Sequence, residues 1–240
     1  MQGVVTIVDY GRSNLLSVQR ALEHCGTWVE YARTPAQVEA ARVLVLPGVG
    51  CFADAMKAME AKGLARAVQN KARRGTPLLG ICLGMQLLFE SSTEGGYAAG
   101  LGLLSGTVEP LPHSTAGGEP LRTPHIGWDA LFPAKGARFG GTLLQAVRPG
   151  EEVYFVHGYQ ARPARAADRL ANTVYGGHLV CAAVHRGNVA GTQFHPEKSG
   201  EAGLAILHAF LQGAGQITRQ ETMKEVIWDE TGISPGAQPV

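Results

Sequence analysis

VVTIVDY, Val4 to Tyr10, is a continuous β-rich run, the pattern of a strand covered on both faces. The period then changes. In SNLLSVQRALEHCG, Leu15, Leu16, Val18, Ala21 and Leu22 recur at helical spacing, with Ser13 placed to cap the start and Gly26 to end it. The alternation continues. TWVEYA predicts a second strand, TPAQVEAA a short helix with Pro35 in its first turn, and RVLVLPGVG a third strand running into a glycine-rich loop. DAMKAMEAKGLARAVQNKARRG predicts helix with a break near Gly63, TPLLGI a fourth strand, and a helix opens after Cys82. Such alternation predicts an α/β fold, a single-domain, largely parallel open sheet with flanking helices.

Beyond Gly100 the pattern shortens. GLLSGTVEPL, HIGWDALF, EVYFVHGYQAR, LANTVYG, HLVCAAVHRG and VAGTQFHPE predict short strands between turn residues, a β-rich second half closed by an amphipathic helix in GEAGLAILHAFLQ. Leu111 to Arg122 reads as a surface loop, and there is no internal repeat. The sequence divides into a domain over 1–212 and a C-terminal extension over 213–240. The extension is polar, with one helical turn set at Met223, Val226 and Ile227, and is expected to be mobile or loosely packed.

Composition narrows the function classes. Of 240 residues 45% are hydrophobic, enough for a large core, and 21 Lys plus Arg balance 20 Asp plus Glu. That balance gives no electrostatic footprint for nucleic acid or an anionic membrane, and neither is expected as a partner. No apolar run reaches the ~20 residues of a membrane span. The start MQGVVTIVDYG lacks the basic region and apolar run of a signal peptide, so a cytoplasmic location is expected. Cys25, Cys51, Cys82 and Cys181 form no paired motif, and the eight histidines show no metal-ligand spacing; no metal or other cofactor is expected.

Chemistry concentrates in three places. In PLLGICLGMQLLF, Cys82 sits between Gly80 and Gly84 where strand gives way to helix. The pattern is that of a nucleophile elbow, with the thiol at a helix N-terminus and the Leu83 N–H aimed at a developing oxyanion. A buried packing cysteine is the ordinary alternative. In TQFHPEKS, Pro196 keeps His195 out of helical geometry, and Glu197, two residues on, falls on the same side of an extended chain. A cysteine nucleophile needs such a base held by a third group. His157, also on a strand, competes for the base role but has no carboxylate two residues on. Third, Pro47-Gly48-Val49-Gly50 follows a buried strand, and its glycines permit two peptide orientations and close approach to a ligand.

GICLGMQ and QFHPEKS together resemble the triad, or class I, glutamine amidotransferases in the chain order Cys, His, Glu. VDYGRSN, LPGVGCFADAM, PHIGWD and YFVHGY extend the resemblance, over about Val4 to Gln212, to one subfamily, the glutaminase subunits of imidazole glycerol phosphate synthases in histidine biosynthesis. The resemblance implies that Cys82 attacks the side-chain amide of L-glutamine, with His195 as acid and base and Glu197 orienting it. It implies oxyanion donors at Leu83 and in the Val49–Gly50 loop, and substrate contacts from Gly48, Gln86, His157, Gly158 and Tyr159. It further implies a heterodimer with a (β/α)8 synthase (cyclase) subunit that receives the ammonia, with Asn14, Trp128, Tyr154 and Lys198 near that interface. Three positions depart from the family. Gly158 stands where serine is common, Ser13 replaces a usual glycine, and Asp129 replaces a usual asparagine. Other readings left open are a subunit feeding another synthase, such as one for surface-sugar amination, a non-catalytic regulatory homologue, and a general cysteine hydrolase.

Overall fold

The computed structural model describes residues 3–11 and 15–216. Its first half alternates as the pattern predicts: β1 (Val4–Val8), α1 (Leu15–His24), β2 (Trp28–Ala32), α2 (Pro35–Ala40), β3 (Leu44–Gly48), α3 (Phe52–Ala61), α4 (Leu64–Arg73), β4 (Leu78–Cys82) and α5 (Leu83–Leu87). Local chemistry explains the boundaries. Thr34 and Gln37 cap α2 reciprocally, side chain to backbone in both directions. Gly63 breaks the long helical pattern into α3 and α4 by taking a left-handed φ of 68°.

The second half is β-rich: β5 (Ser91–Ser92), β6 (Ala98–Ala99), β7 (Gly106–Pro110), β8 (His125–Ala130), β9 (Phe132–Pro133), β10 (Glu152–His157), β11 (Tyr159–Pro163), β12 (Arg169–Tyr175), β13 (His178–Arg186) and β14 (Val189–Thr192), closed by α6 (Gly200–Gly213). The main sheet runs β2-β1-β3-β4-β14-β13-β12-β9. Its first five strands are mutually parallel, and β13, β12 and β9 continue it antiparallel. Two smaller sheets lie apart, an antiparallel ribbon of β8 and β10 and a four-stranded sheet β11-β7-β5-β6.

Both faces of the parallel strands are covered. Val45, Leu79 and Ile81 pack with Val18 and Leu22 of α1 and Ile206 and Leu207 of α6. Leu44, Leu46 and Leu78, one residue out of phase, pack with Phe52, Met56 and Met59 of α3 and Val68 of α4. Period-2 alternation thus feeds two cores from the same strands. In an open α/β sheet, the crevice at the carboxyl ends of the strands is left for ligands. β3, β4 and β14 bring Gly48, Cys82 and the chain leading to His195 to that crevice.

EVYFVHGYQAR is not one strand. It divides at Gly158, so that β10 pairs with β8 and β11 pairs with β7 in different sheets. No helix among the described residues is long and apolar enough to cross a membrane. The turn set at Met223, Val226 and Ile227 lies outside the described residues, as do Ser13 and Asn14.

Candidate active site

Cys82 ends β4 and caps α5 with φ 54° and ψ −110°, the one non-glycine at positive φ among the described residues. Its glycine neighbours make the turn possible by packing rather than by φ. A Cβ on Gly84 would drive into the Leu46 carbonyl, and one on Gly80 would lie 2.6 Å from the Gly84 oxygen. Gly48, paired with Cys82 across β3 and β4, is equally confined, since a Cβ there would meet the Tyr10 hydroxyl. The strain at Cys82 is of the kind found at functional turns.

β14 is β4's other neighbour, so the segment after it runs past the thiol. His195 Nδ1 and Glu197 Oε1 are 2.7 Å apart, with the two side chains only 3% and 2% exposed. The turn is stapled to β10: His195 N–H donates to the Tyr154 carbonyl at 2.9 Å, Ser199 Oγ accepts from Tyr154 N–H at 3.0 Å, and the Ser199 hydroxyl donates to the His195 carbonyl. With Nδ1 committed to the carboxylate, Nε2 has no oxygen or nitrogen partner among the described residues and is left for Cys82. Burial opposes a charged imidazole here, yet the Cys82 thiol and the Glu197 carboxylate outweigh it and raise His195 to about 9. The ring thus favours its protonated form, the state in which it would hold the proton that Cys82 gives up.

The cleft over this pair encloses about 260 Å³ and is lined by Val49, Gly50, Cys82, Leu83, Gln86, His157, Gly158, Tyr159 and His195. Gly50 has φ 98° with nothing within 4 Å of a Cβ, so its constraint is conformational. Gln86 is 5% exposed and donates to the Tyr159 carbonyl at 3.1 Å and to Gln193 Oε1 at 3.0 Å. Gly48 lies behind the cleft and does not line it. A larger cavity of about 490 Å³ at the other end of β4, lined by Pro77, Asn188 and Phe210 among others, holds no cysteine.

His157 is in a different state from His195. Burial drives it down to about 3; the Tyr159 carbonyl at 2.8 Å opposes this only in part, and His125 and His195 push it further down. The other buried thiols differ from Cys82 as well, since burial pushes Cys25 up to about 12 and Cys181 up to about 11. Trp128, Tyr154 and Lys198 come together on one face. Trp128 is 51% exposed and edge-on to Tyr154 at 6.0 Å, and the Lys198 ammonium lies 5.9 Å from the Tyr154 ring centre. Asn14 lies outside the described residues.

Sequence reasoning missed two cleft groups. Gln193 Nε2, just past β14, reaches to 3.7 Å from Cys82 Sγ; the extended run expected from His195 to Glu197 does not form, because Pro196–Lys198 winds into a 3-10 turn that brings Glu197 back to the ring. Glu94 lines the cleft and accepts from the Phe52 N–H at 2.7 Å, capping α3 from 42 residues away, a contact no local pattern announces. What the arrangement can do is nucleophilic attack by sulfur with proton transfer by an imidazole whose partner carboxylate is buried with it.

The fold and the cysteine–histidine–glutamate arrangement define an amidotransferase, and residues 6–213 match the family glutamine amidotransferase class-I, to which the chain belongs. It is 44% identical over 209 residues to imidazole glycerol phosphate synthase subunit HisH 1 of Legionella pneumophila (strain Lens), covering 87% of this chain and 98% of that one. It is 47% identical over 207 residues to the subunit HisH of Moorella thermoacetica, covering 86% and 93%. Among solved structures, PurLQS from Thermotoga maritima matches with a TM-score of 0.68 at 22% identity, over 88% of this chain and 99% of that one. A crystal structure of a glutamine amidotransferase matches at 0.67 and 20%, over 89% and 100%. These two support the fold alone.

Proposed function

We propose that this chain is the glutaminase subunit of an imidazole glycerol phosphate synthase. It hydrolyses L-glutamine to glutamate and ammonia and passes the ammonia to a synthase partner, which makes imidazole glycerol phosphate and an aminoimidazole carboxamide ribonucleotide in histidine biosynthesis. The observation that carries the reading is the buried His195–Glu197 pair acting on a strained, helix-capping Cys82.

The chemistry follows from the groups in the cleft. The Cys82 sulfur, deprotonated to His195, attacks the side-chain amide carbon of glutamine. The oxygen that gains charge is held by the Leu83 N–H and the Val49–Gly50 loop. His195 gives its proton to the departing nitrogen, and ammonia leaves a glutamyl thioester. The neutral imidazole then takes a proton from water, hydroxide adds to the thioester, and glutamate departs as the thiolate reforms. Glu197 holds the tautomer and stabilises the imidazolium in both halves. Gln86, Gly158 and Tyr159 form the substrate wall, and the Glu94 carboxylate suits the substrate's α-ammonium.

Ammonia released into water is protonated and ceases to be a nucleophile, so the product needs a receiving subunit. A (β/α)8 cyclase docked over Trp128, Tyr154 and Lys198, in a cytoplasmic heterodimer, fits that need. The test is co-expression with the candidate cyclase and an assay of glutamate release and nucleotide turnover. Cys82→Ala is expected to abolish glutamate release while added ammonium still drives the cyclase. Glutamate release retained by Cys82→Ala overturns the assignment.

A further inference from the structure

Behind the Gly158–Tyr159 wall runs a chain of side chains the mechanism does not use. Asp129 Oδ2 is 2.6 Å from His125 Nε2, His125 Nδ1 is 3.1 Å from His157 Nε2, and His157 Nδ1 is 2.8 Å from the Tyr159 carbonyl oxygen. Both ends of this chain, a carboxylate and a carbonyl, only accept hydrogen bonds. Three contacts therefore need three N–H protons, and two neutral imidazoles carry two. Without a third, the chain has a gap. The gap falls at one of three places: the two ring nitrogens face each other lone pair to lone pair, His157 turns a lone pair on the Tyr159 oxygen, or His125 turns one on the Asp129 carboxylate, the costliest of the three because that oxygen is charged. That same oxygen receives Gln86 in the cleft, at 3.1 Å.

We propose that Asp129, His125 and His157 form a brace behind the glutamine cleft that closes only when the two rings share three N–H protons, so that uptake of one proton tightens substrate binding. The inference rests on the reading of this cleft as the glutamine site. His125 and Asp129 are positioning residues; they act on the wall through His157.

The surroundings say where the third proton resides. His157 faces His195 across the cleft, whose charge repels a second cation. His125 is sandwiched between Phe155 of β10, with ring centres 4.8 Å apart, and Tyr175 of β12, at 4.0 Å, both nearly parallel to it. Aromatic faces on both sides and a carboxylate at Nε2 suit an imidazolium. Among the described residues Asp129 of β8 is the one acidic group bonded to the pair, and the Tyr159 carbonyl of β11 closes the far end. Burial outweighs Asp129 and lowers His125 below its ordinary value of 6.5, so the proton is taken up on the acid side of neutrality. The brace is therefore completed only below the ordinary imidazole range and is short of one hydrogen bond in mild alkali.

The test compares two full-length chains, both carrying Cys82→Ala so that glutamine is held without turnover. One keeps Asp129; the other carries Asp129→Asn, whose amide donates to His125 Nε2 and completes all three contacts with neutral rings. Asp129 is 36% exposed, so the exchange leaves the core untouched. Glutamine affinity is measured by calorimetry from about pH 5 to about pH 8, with the ring nitrogens followed by ¹⁵N NMR. With Asp129 kept, affinity is expected to fall about 2- to 10-fold as pH rises, the worth of one hydrogen bond, while the rings go from three N–H protons to two. With Asp129→Asn, affinity stays flat and both rings stay neutral. A pH dependence that survives Asp129→Asn overturns the proposal, and so do ring nitrogens that do not titrate in the chain that keeps Asp129. Rings that titrate as stated in a chain that binds no glutamine uphold the proton count and overturn the glutamine reading instead.

Discussion

Two histidine–carboxylate pairs stand on either side of one cleft and behave oppositely. His195 and Glu197 are 2.7 Å apart; His125 and Asp129 are 2.6 Å apart. His195 is raised to about 9, whereas His125 is lowered. Separation does not explain this, and neither does the burial of the rings, 3% and 1% exposed. The carboxylates differ: Glu197 is 2% exposed and Asp129 36%. A carboxylate shielded from water acts on its partner at low dielectric, while one in contact with solvent is screened. The largest raising influence on His195 is Cys82, ahead of Glu197, and His125 has no such neighbour. A close carboxylate alone does not raise a buried imidazole; a second partner and a carboxylate buried with the ring do.

The largest test of that contrast removes one ring at a time. His195→Ala is expected to lose on the order of 10⁴-fold or more in glutamate release in the presence of the partner, the scale of a lost triad base. His157→Ala keeps measurable activity, and the reverse ranking breaks the assignment. Added ammonium restores cyclase turnover in the His195→Ala complex. Next comes the charge on Glu197. Glu197→Gln keeps the size and loses the charge, and glutamate release is expected to fall on the order of 10³–10⁴-fold.

The same exchange has a signature in stability. His195 in the folded chain titrates near 9, above its ordinary 6.5. Its stabilising contribution is therefore full below about 6.5 and lost as pH rises through about 9, up to about 3 kcal/mol. His125 and His157, both lowered, act in the other direction and weaken the fold as pH drops. Urea unfolding at neutral and alkaline pH should show the alkaline loss in the native chain and a smaller one in Glu197→Gln. Equal losses would mean that Glu197 does not hold the proton.

The smallest effect concerns the wall. A Cβ on Gly158 would meet only the Pro124 Cβ, at 4.0 Å, so Gly158→Ser brings a hydroxyl to the cleft without moving backbone. The glutamine KM is expected to fall about 2- to 10-fold with kcat little changed. An unchanged KM would show that the wall already satisfies the substrate.

The parallel half was legible because each of its elements is coded locally. Apolar runs gave β1, β3 and β4, helical spacing gave α1, and a single glycine at 63 split α3 from α4. The elbow could be read from Gly80 and Gly84, although the reason for them, contact with Leu46 and with each other, is tertiary. The second half was less legible. EVYFVHGYQAR has one unbroken β pattern, yet its halves find partners in different sheets, a choice made by β8 and β7 far away in sequence. Glu94 and the His125–His157 contact depend on residues 42 and 32 positions apart, and no periodicity reports them. His125 and Asp129 share one side of β8 by their even spacing, but their chemistry appears only when β10 lies alongside.

The left-handed backbone at Cys82 has an evolutionary consequence. A φ of 54° with a ψ of −110° suits glycine and strains a residue with a side chain. Selection for a sturdier scaffold alone would drive this codon toward glycine and silence the protein. On the proposed reading of Cys82 as nucleophile, the cysteine survives only while its reactivity is under selection. A lineage released from that demand would be expected to lose its nucleophile early, and to fold no worse for the loss.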